Sequence, residues 1–413
     1  MATIRPVETV DVAIIGAGPA AERALDSLTD KKTILISLPN SPETLLLRHT
    51  TALLGKKTEF SAGLSAVAGP CEFIDRHTLR VGGDTVRAAK ILVGSGSSHR
   101  VPKIQGLDET PHSFTTDLNN DDHPRSVLIV GGGHAGVSLA QRFADKKSRV
   151  TLVCNTERLL PKEDKQISYF FETLLLKSGV TVHTGADIAQ TRVVDGAIAA
   201  TLNKNGSLSN IEADKLVIAA GLVPHTEGLH LERAGVYVGE GGVVNVNEEM
   251  RTSAVNIWAA GSVTGTHRLS EELHQAEAAA KNMFAPFYDR HKLGDEPLPT
   301  VFPTWPAFAR IGLTEDEARA KHKDAHAIIG AYADSDRAVL DGKTDGFLKI
   351  IARKKSGELL GVHAAGTAAE ELILYFDLVM QAGHSVFDLL EERHFPALTY
   401  GHLIYQTLRR WAA

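Results

Sequence analysis

Residues 11–16 (DVAIIG) form a short apolar run that ends in glycine. The stretch that follows, GAGPAAERALDSL, spaces its apolar residues at helical intervals, and TILIS comes next at 33–37. This pattern predicts strand, tight turn, helix, strand: a βαβ unit. It returns 115 residues later, where SVLIVGGG leads into HAGVSLAQRFADK and RVTLV closes the unit. Between the two units, CEFID, HTLRV and DTVRAA read as short antiparallel strands and KILVGSG as a buried one. Beyond the second unit, strands are predicted around VTVHT, AIAATLN, NIEADKLVIAAG and NIWAAG, then a helix over SEELHQAEAAAKNMF. From about residue 298 the texture changes. PLPTVFPTWPAFARIG is proline-rich and extended, because each proline disfavours helix in the residue before it. LTEDEARAK reads as a helix with Thr314 as N-cap. Strands HAIIGAYA, GFLKIIAR and LLGVHAAG and a helix AAEELILYFDLVMQAG complete an α+β terminal region.

A chain of 413 residues suggests two to three domains, at about 150 residues each. A net charge of −6 supplies no basic field for nucleic acid or anionic lipid. The start MATIRPVETVD lacks a basic segment followed by an apolar one, so no secretory signal is expected. No apolar run reaches the roughly 18 residues a membrane span needs. The only cysteines are Cys71 and Cys154, 83 positions apart, and two buried thiols account for them more simply than a disulfide. A reducing cytoplasm is the expected location. No His/Cys/Asp cluster has metal spacing and no GxSxG occurs.

The chemistry is expected at the two glycine turns. In the first, Gly16 permits the turn, Gly18 lets backbone approach a pyrophosphate, and Ala21 lets helix pack on strand, with Pro19 and Ala20 between them. Gly131, Gly133 and Gly136 repeat this logic in the second. Each helix start offers N–H groups and a partial positive charge to phosphates. One such turn alone is equally well an ordinary tight connection; two, each placed after a strand and opening a helix, carry more weight.

With these turns in place, nearly the whole chain resembles the class I pyridine nucleotide–disulfide oxidoreductases, the family of dihydrolipoamide dehydrogenase, glutathione reductase and mercuric reductase. LVGSGSSHRVP (92–102) is similar to the family's ATGSxPxxP turn and LVIAAGLVPHTEGLHLERAGV (216–236) to its AxGxxPNT turn. MRTSAVNIWAAGSVTG (250–265) is similar to the segment ending in a GD motif, and three later strings resemble the dimerisation domain. The resemblance implies an α/β fold with two Rossmann-like dinucleotide-binding domains and an α+β C-terminal dimerisation domain. Residues 1–122 and 246–297 would bind FAD, 123–245 would bind NAD(P)H, and 298–413 would form a homodimer. It adds Ser37, Ser95, Gly96, Gly221, Gly261 and Ser262 to the expected cofactor contacts.

The departures from the family pattern are equally informative. Members carry a CxxxxC redox pair on the first long helix after the second strand; the matching stretch, LPNSPETLLLRHTTALLGKKTEF, has no cysteine. Without a dithiol beside the flavin, electrons cannot leave by thiol–disulfide exchange. The His-Pro-Thr segment that serves those thiols is here His394-Phe395-Pro396, with Tyr400 at the glutamate's place. His394, Tyr400 and His402 remain as weak catalytic candidates. The acids that hold adenosine riboses are replaced by Ser37 and Cys154, the GD aspartate by Ser262, and a glutamate of the second turn by Ser138. Each lost charged hydrogen bond removes about 1.5–3 kcal/mol, so one or two losses weaken binding roughly tenfold to several hundredfold. Arg158 either faces a 2′-phosphate or is a solvent-exposed or structural arginine, the second being the simpler reading.

The expected function is therefore an FAD-dependent oxidoreductase that takes electrons from NAD(P)H and passes them to a small non-disulfide acceptor. The alternative is a catalytically degenerate binding or regulatory scaffold, for which the six substitutions at Ser37, Ser138, Cys154, Ser262, Phe395 and Tyr400 speak.

Overall fold

A computed structural model describes residues 8–38, 64–119, 121–294, 296–392 and 395–411. The mixed α/β chain forms two compact units, Met1–Arg100 with Leu222–Glu296, and Val101–Gly221 with Pro297–Ala413.

The first unit is built on a seven-stranded sheet whose strand Glu8–Ile15 runs parallel to Thr33–Ser37 on one side and Asp84–Val93 on the other. Leu64–Ala68 extends the parallel edge beyond Thr33–Ser37, and Ile257–Ala259 joins Asp84–Val93 in parallel. Cys71–Asp75 and Thr78–Val81 continue the sheet as antiparallel strands. The expected strands DTVRAA and KILV are one strand, Asp84–Val93, because no turn residue separates them. Both faces of the sheet are covered. Ala13 and Ile15 point into one apolar cluster and Val12 and Ile14 into another. That double burial explains why VAII is a continuous apolar run and not an alternating one. Residues 222–244, which the sequence reading placed with 123–245, pack in this unit. Leu222–Pro224 pairs with Ser97–His99, and Leu229, Leu231, Val236 and Val244 enter its core.

The second unit carries a five-stranded parallel sheet in the order Thr181–His183, Arg149–Val153, Ser126–Val130, Lys215–Ile218, Ser113–Phe114. An antiparallel three-stranded sheet, Asp187–Val194, Ala197–Lys204 and Ser207–Ala213, accompanies it. The terminal region contributes a five-stranded antiparallel sheet in the order Thr300–Phe302, Phe308–Gly312, Leu359–Ala365, Phe347–Arg353, Ala325–Ala331. The Ala369–Gln381 helix buries Leu372, Ile373, Phe376 and Val379 against that sheet. Phe302, Phe308 and Phe347 belong to the same apolar cluster as Val127, Ile129 and Phe171, so the terminal sheet and the second Rossmann-like sheet share a core. Thr314 caps the Glu315–Lys321 helix as expected. Its hydroxyl accepts from the Glu317 N–H, and the Glu317 carboxylate accepts from the Thr314 N–H at 2.8 Å. No helix among the described residues is long and apolar enough to cross a membrane.

Candidate functional site

In the first unit the Glu8–Ile15 strand ends at Gly16, whose φ of +117° lies in the region that only glycine occupies freely. A Cβ on Gly16 would lie 1.9 Å from the Gly94 carbonyl oxygen, so two backbone segments touch here. Gly18 then caps the Pro19–Asp26 helix with no side-chain hydrogen bond, and Pro19 sits in the first turn, where its missing N–H costs nothing. The first-turn N–H groups are therefore not claimed by a capping side chain. Ala20 and Ala21 are buried, which lets the helix lie close to the sheet. Ser37 ends the Thr33–Ser37 strand half-buried, its carbonyl accepting from the Gly69 N–H at 3.0 Å. Gly261 approaches from the return segment; a Cβ there would meet the Ala20 Cβ at 3.0 Å, and the adjoining Ser262 is buried. Gln275 holds this turn. Its Oε1 accepts from the Gly261 N–H at 3.0 Å and from the Thr264 hydroxyl at 2.9 Å. Ser95 is 1% exposed and its hydroxyl has no hydrogen-bond partner. A backbone-lined cradle, uncapped helix N–H groups and an unclaimed hydroxyl fit a dinucleotide of the FAD type.

The second unit repeats the cradle. Gly131 has φ of +127°, and its Cβ would lie 2.1 Å from the Ala219 carbonyl oxygen. A Cβ on Gly136 would lie 1.8 Å from the Gly131 carbonyl oxygen. Gly133 caps the His134–Asp145 helix with open space where its Cβ would be, and Gly221 has φ of +102° just beyond the Lys215–Ile218 strand. These features fit an NAD(P)-type dinucleotide. Cys154, where an acid is usual, turns its sulfur toward the turn, 2.7 Å from a Cβ on Gly132. Arg158 does not offer its guanidinium to a 2′-phosphate. It donates to the carbonyls of Leu160, Glu163 and Pro161 and to the Ser168 hydroxyl, bracing the loop.

Beside this turn lies a charged network that sequence reading missed. His134, the first residue of the helix, stacks on Phe302 with ring centroids 3.6 Å apart and planes 9° apart. Its Nε2 donates to Glu163 Oε1 at 3.1 Å, and Glu163 Oε2 lies 2.8 Å from Arg310 Nε. Burial opposes ionisation of Glu163, yet the His134 hydrogen bond and the Arg310 charge hold its carboxyl below the usual range. Ser138 donates to the Pro303 carbonyl at 2.6 Å and Gln141 accepts from the Trp305 N–H at 2.9 Å, fastening the same helix face to the terminal region. His134 stands inside the glycine string, so only its identity hinted at this. Glu163 and Arg310 are 147 positions apart and gave no local signal.

The remaining candidates are accounted for individually. Cys71 is buried in the Cys71–Asp75 strand, where burial pushes its thiol up to about 12. Cys154 is buried too, and burial raises its thiol as well. The two belong to different compact units and neither is in a disulfide. A thiol reagent at neutral pH is therefore expected to label neither cysteine in the native protein and both after unfolding; rapid labelling of the native chain would show a reactive thiol that this burial denies. Tyr400 donates to Asp341 Oδ2 at 2.8 Å. The His402 Nδ1 faces the Phe395 carbonyl at 3.4 Å, at the start of the His402–Leu408 helix. Both are thus engaged with their own chain, and His394 lies outside the described residues. Among the described residues no group of His, Cys, Asp and Glu is arranged to hold a metal ion.

Residues 10–282 match the family described as pyridine nucleotide-disulphide oxidoreductase, and residues 298–402 match its dimerisation domain. The mercuric reductase of Staphylococcus aureus is 30% identical over 331 residues, which is 80% of this chain but 60% of that protein. The mercuric reductase of Streptomyces lividans is 35% identical over 83% of this chain and 74% of its own length. The probable pyridine nucleotide-disulfide oxidoreductase RclA of Escherichia coli is 31% identical over 78% of this chain and 73% of its own. A solved structure of the HOCl-induced flavoprotein disulfide reductase RclA from Escherichia coli superposes with a TM-score of 0.86 at 25% identity, covering 97% of this chain and 99% of that one. Members of this family are FAD-dependent and use NAD(P)H. With its two glycine cradles, its dimerisation domain and these relatives, the chain belongs to the pyridine nucleotide-disulphide oxidoreductase family.

Proposed function

We propose that this protein is an FAD-dependent NAD(P)H oxidoreductase whose acceptor is a small molecule other than a disulfide. The observation that carries the reading is the placement of its only two thiols. Cys71 is in a buried strand of one compact unit and Cys154 at a buried strand end of the other. Neither lies on the segment where the family's redox pair would stand. The relatives include disulfide reductases, so loss of that pair is a change of acceptor within a shared scaffold.

In this reading the first unit holds FAD through the backbone at Gly16, Gly18 and Gly96, with the Ser95 hydroxyl beside them and Ser37 and Ser262 supplying hydroxyls in place of carboxylates. The second unit holds NAD(P)H at Gly131, Gly133 and Gly136, with Gly221 shaping the turn across from them. FAD, when bound, supplies the two-electron chemistry between the nicotinamide and the acceptor. The chain itself contributes the orientation of the phosphates. The match to the dimerisation domain supports a homodimer, and the setting in this reading is the cytoplasm, with which two unpaired cysteines are in keeping.

The visible spectrum tests this directly. The purified protein should be yellow and should bleach with NADH or NADPH in the absence of oxygen. A quinone or dye should then restore the colour, while oxidised glutathione or lipoamide should not. Rapid reoxidation by a disulfide would remove the proposal. A colourless protein that takes up no FAD would favour the scaffold reading, which the serines at 37, 138 and 262 support.

A further inference from the structure

The expected FAD contacts leave a buried nitrogen next to the Ser95–Gly96 turn unexplained. His225 follows the Leu222–Pro224 strand, and its backbone N–H donates to the Gly96 carbonyl at 3.0 Å. Gly96 is the residue after Ser95, and the Ser95 backbone nitrogen lies 3.2 Å from where a Cβ on Gly16 would stand. His225 is therefore joined to the first glycine cradle through one hydrogen bond and one residue. Its ring nitrogen Nδ1 is buried and has no hydrogen-bond partner, and the same is true of the Ser95 hydroxyl. Buried polar atoms in folded proteins are nearly always paired, and one left alone is destabilising. Two such atoms, one on the Ser95–Gly96 turn and one on the residue whose backbone is hydrogen-bonded to that turn, therefore mark groups that await a ligand.

We propose that the His225 imidazole is an FAD-binding group, acting with the Ser95 hydroxyl to supply hydrogen bonds that Ser37 and Ser262 no longer give as carboxylates. An imidazole nitrogen serves as donor or acceptor according to its tautomer, and a hydroxyl serves as either. Both therefore pair with the polar edges of a dinucleotide without carrying a fixed charge into the cradle. This rests on the FAD reading given above, and the experiment separates the two.

The test compares FAD affinity with the stability of the FAD-free protein in the wild-type chain and in Ser95→Ala, His225→Leu and His225→Gln. If the two atoms await FAD, removing either relieves an unpaired group in the FAD-free protein and raises its melting temperature. The same change weakens FAD binding roughly threefold to tenfold. His225→Gln keeps a polar group in reach and should stay within about threefold of wild type. These opposite signs are what a merely structural hydrogen bond does not produce. FAD affinity unchanged in both Ser95→Ala and His225→Leu, or a lower melting temperature of the FAD-free variants, overturns the assignment. If wild-type protein takes up no FAD at all, the assignment falls together with the cofactor reading.

Discussion

Gly16→Ala is expected to give a colourless protein that melts well below wild type. At φ of +117° any side chain is strained, and the added Cβ would lie 1.9 Å from the Gly94 carbonyl oxygen. A residue forced into such backbone costs about 1–3 kcal/mol, and the clash with a second backbone segment adds to that. Relief requires the Glu8–Ile15 and Asp84–Val93 strands to separate at their ends, where the Gly94 N–H donates to the Ile15 carbonyl at 2.8 Å. That separation dismantles the phosphate cradle along with the sheet end. Gly83→Ala is the control, because Gly83 has ordinary φ and nothing within 4 Å of its Cβ position. Absorbance of bound flavin and thermal melting of the two variants make the comparison. Equal flavin content in both would mean that the Gly16 turn does not shape the site.

The second large effect is expected at Lys349 in the other unit. Its ammonium is 2.7 Å from Asp164 Oδ1 and 2.6 Å from Glu315 Oε2, with Lys349 and Asp164 almost fully buried. Asp164 also accepts from the N–H groups of Gln166 and Glu315, capping the Lys165–Lys177 helix. Lys349→Met leaves the Asp164 carboxylate buried without its counter-charge, which typically costs about 3–5 kcal/mol. Chemical denaturation should read this loss, and Lys349→Met combined with Asp164→Asn should recover part of it. The pH dependence has a defined sign. Burial works against ionisation of Asp164, but the Lys349 hydrogen bond and the two backbone N–H groups hold its carboxyl below the usual range. In the wild type that stabilisation is present above the unfolded-state pKa of 3.8 and fades as pH falls through the lower folded value. In Lys349→Met the carboxyl loses its partner, so protonation favours the folded form and the gap to wild type should narrow on acidification. A gap that widens toward low pH would contradict the assigned pairing.

Much of this architecture was legible in the residues because the signals are local. DVAIIG and SVLIVGGG announce strands that meet glycine turns, and the N-cap at Thr314 followed by Glu317 announces a helix start. The site was legible only as positions. Gly16 reads as a turn residue from its place after a strand, but the Gly94 carbonyl that makes it indispensable lies 78 positions away. Arg158 shows the same boundary. Its place after the second unit suits a phosphate ligand, whereas the fold surrounds it with carbonyls from its own loop.

The amino-acid sequence by itself determined two nucleotide-type turns and placed its two cysteines 83 positions apart, since periodicity and a residue count need no third dimension. Tertiary structure alone decided which polar groups are satisfied. It buried Lys349 against Asp164, 185 positions apart, tied His134 to Glu163, and left Ser95 and His225 each with an unpaired polar atom. The reason is physical: hydrogen bonding and desolvation depend on which distant segments the sheets bring together, and no local pattern encodes that.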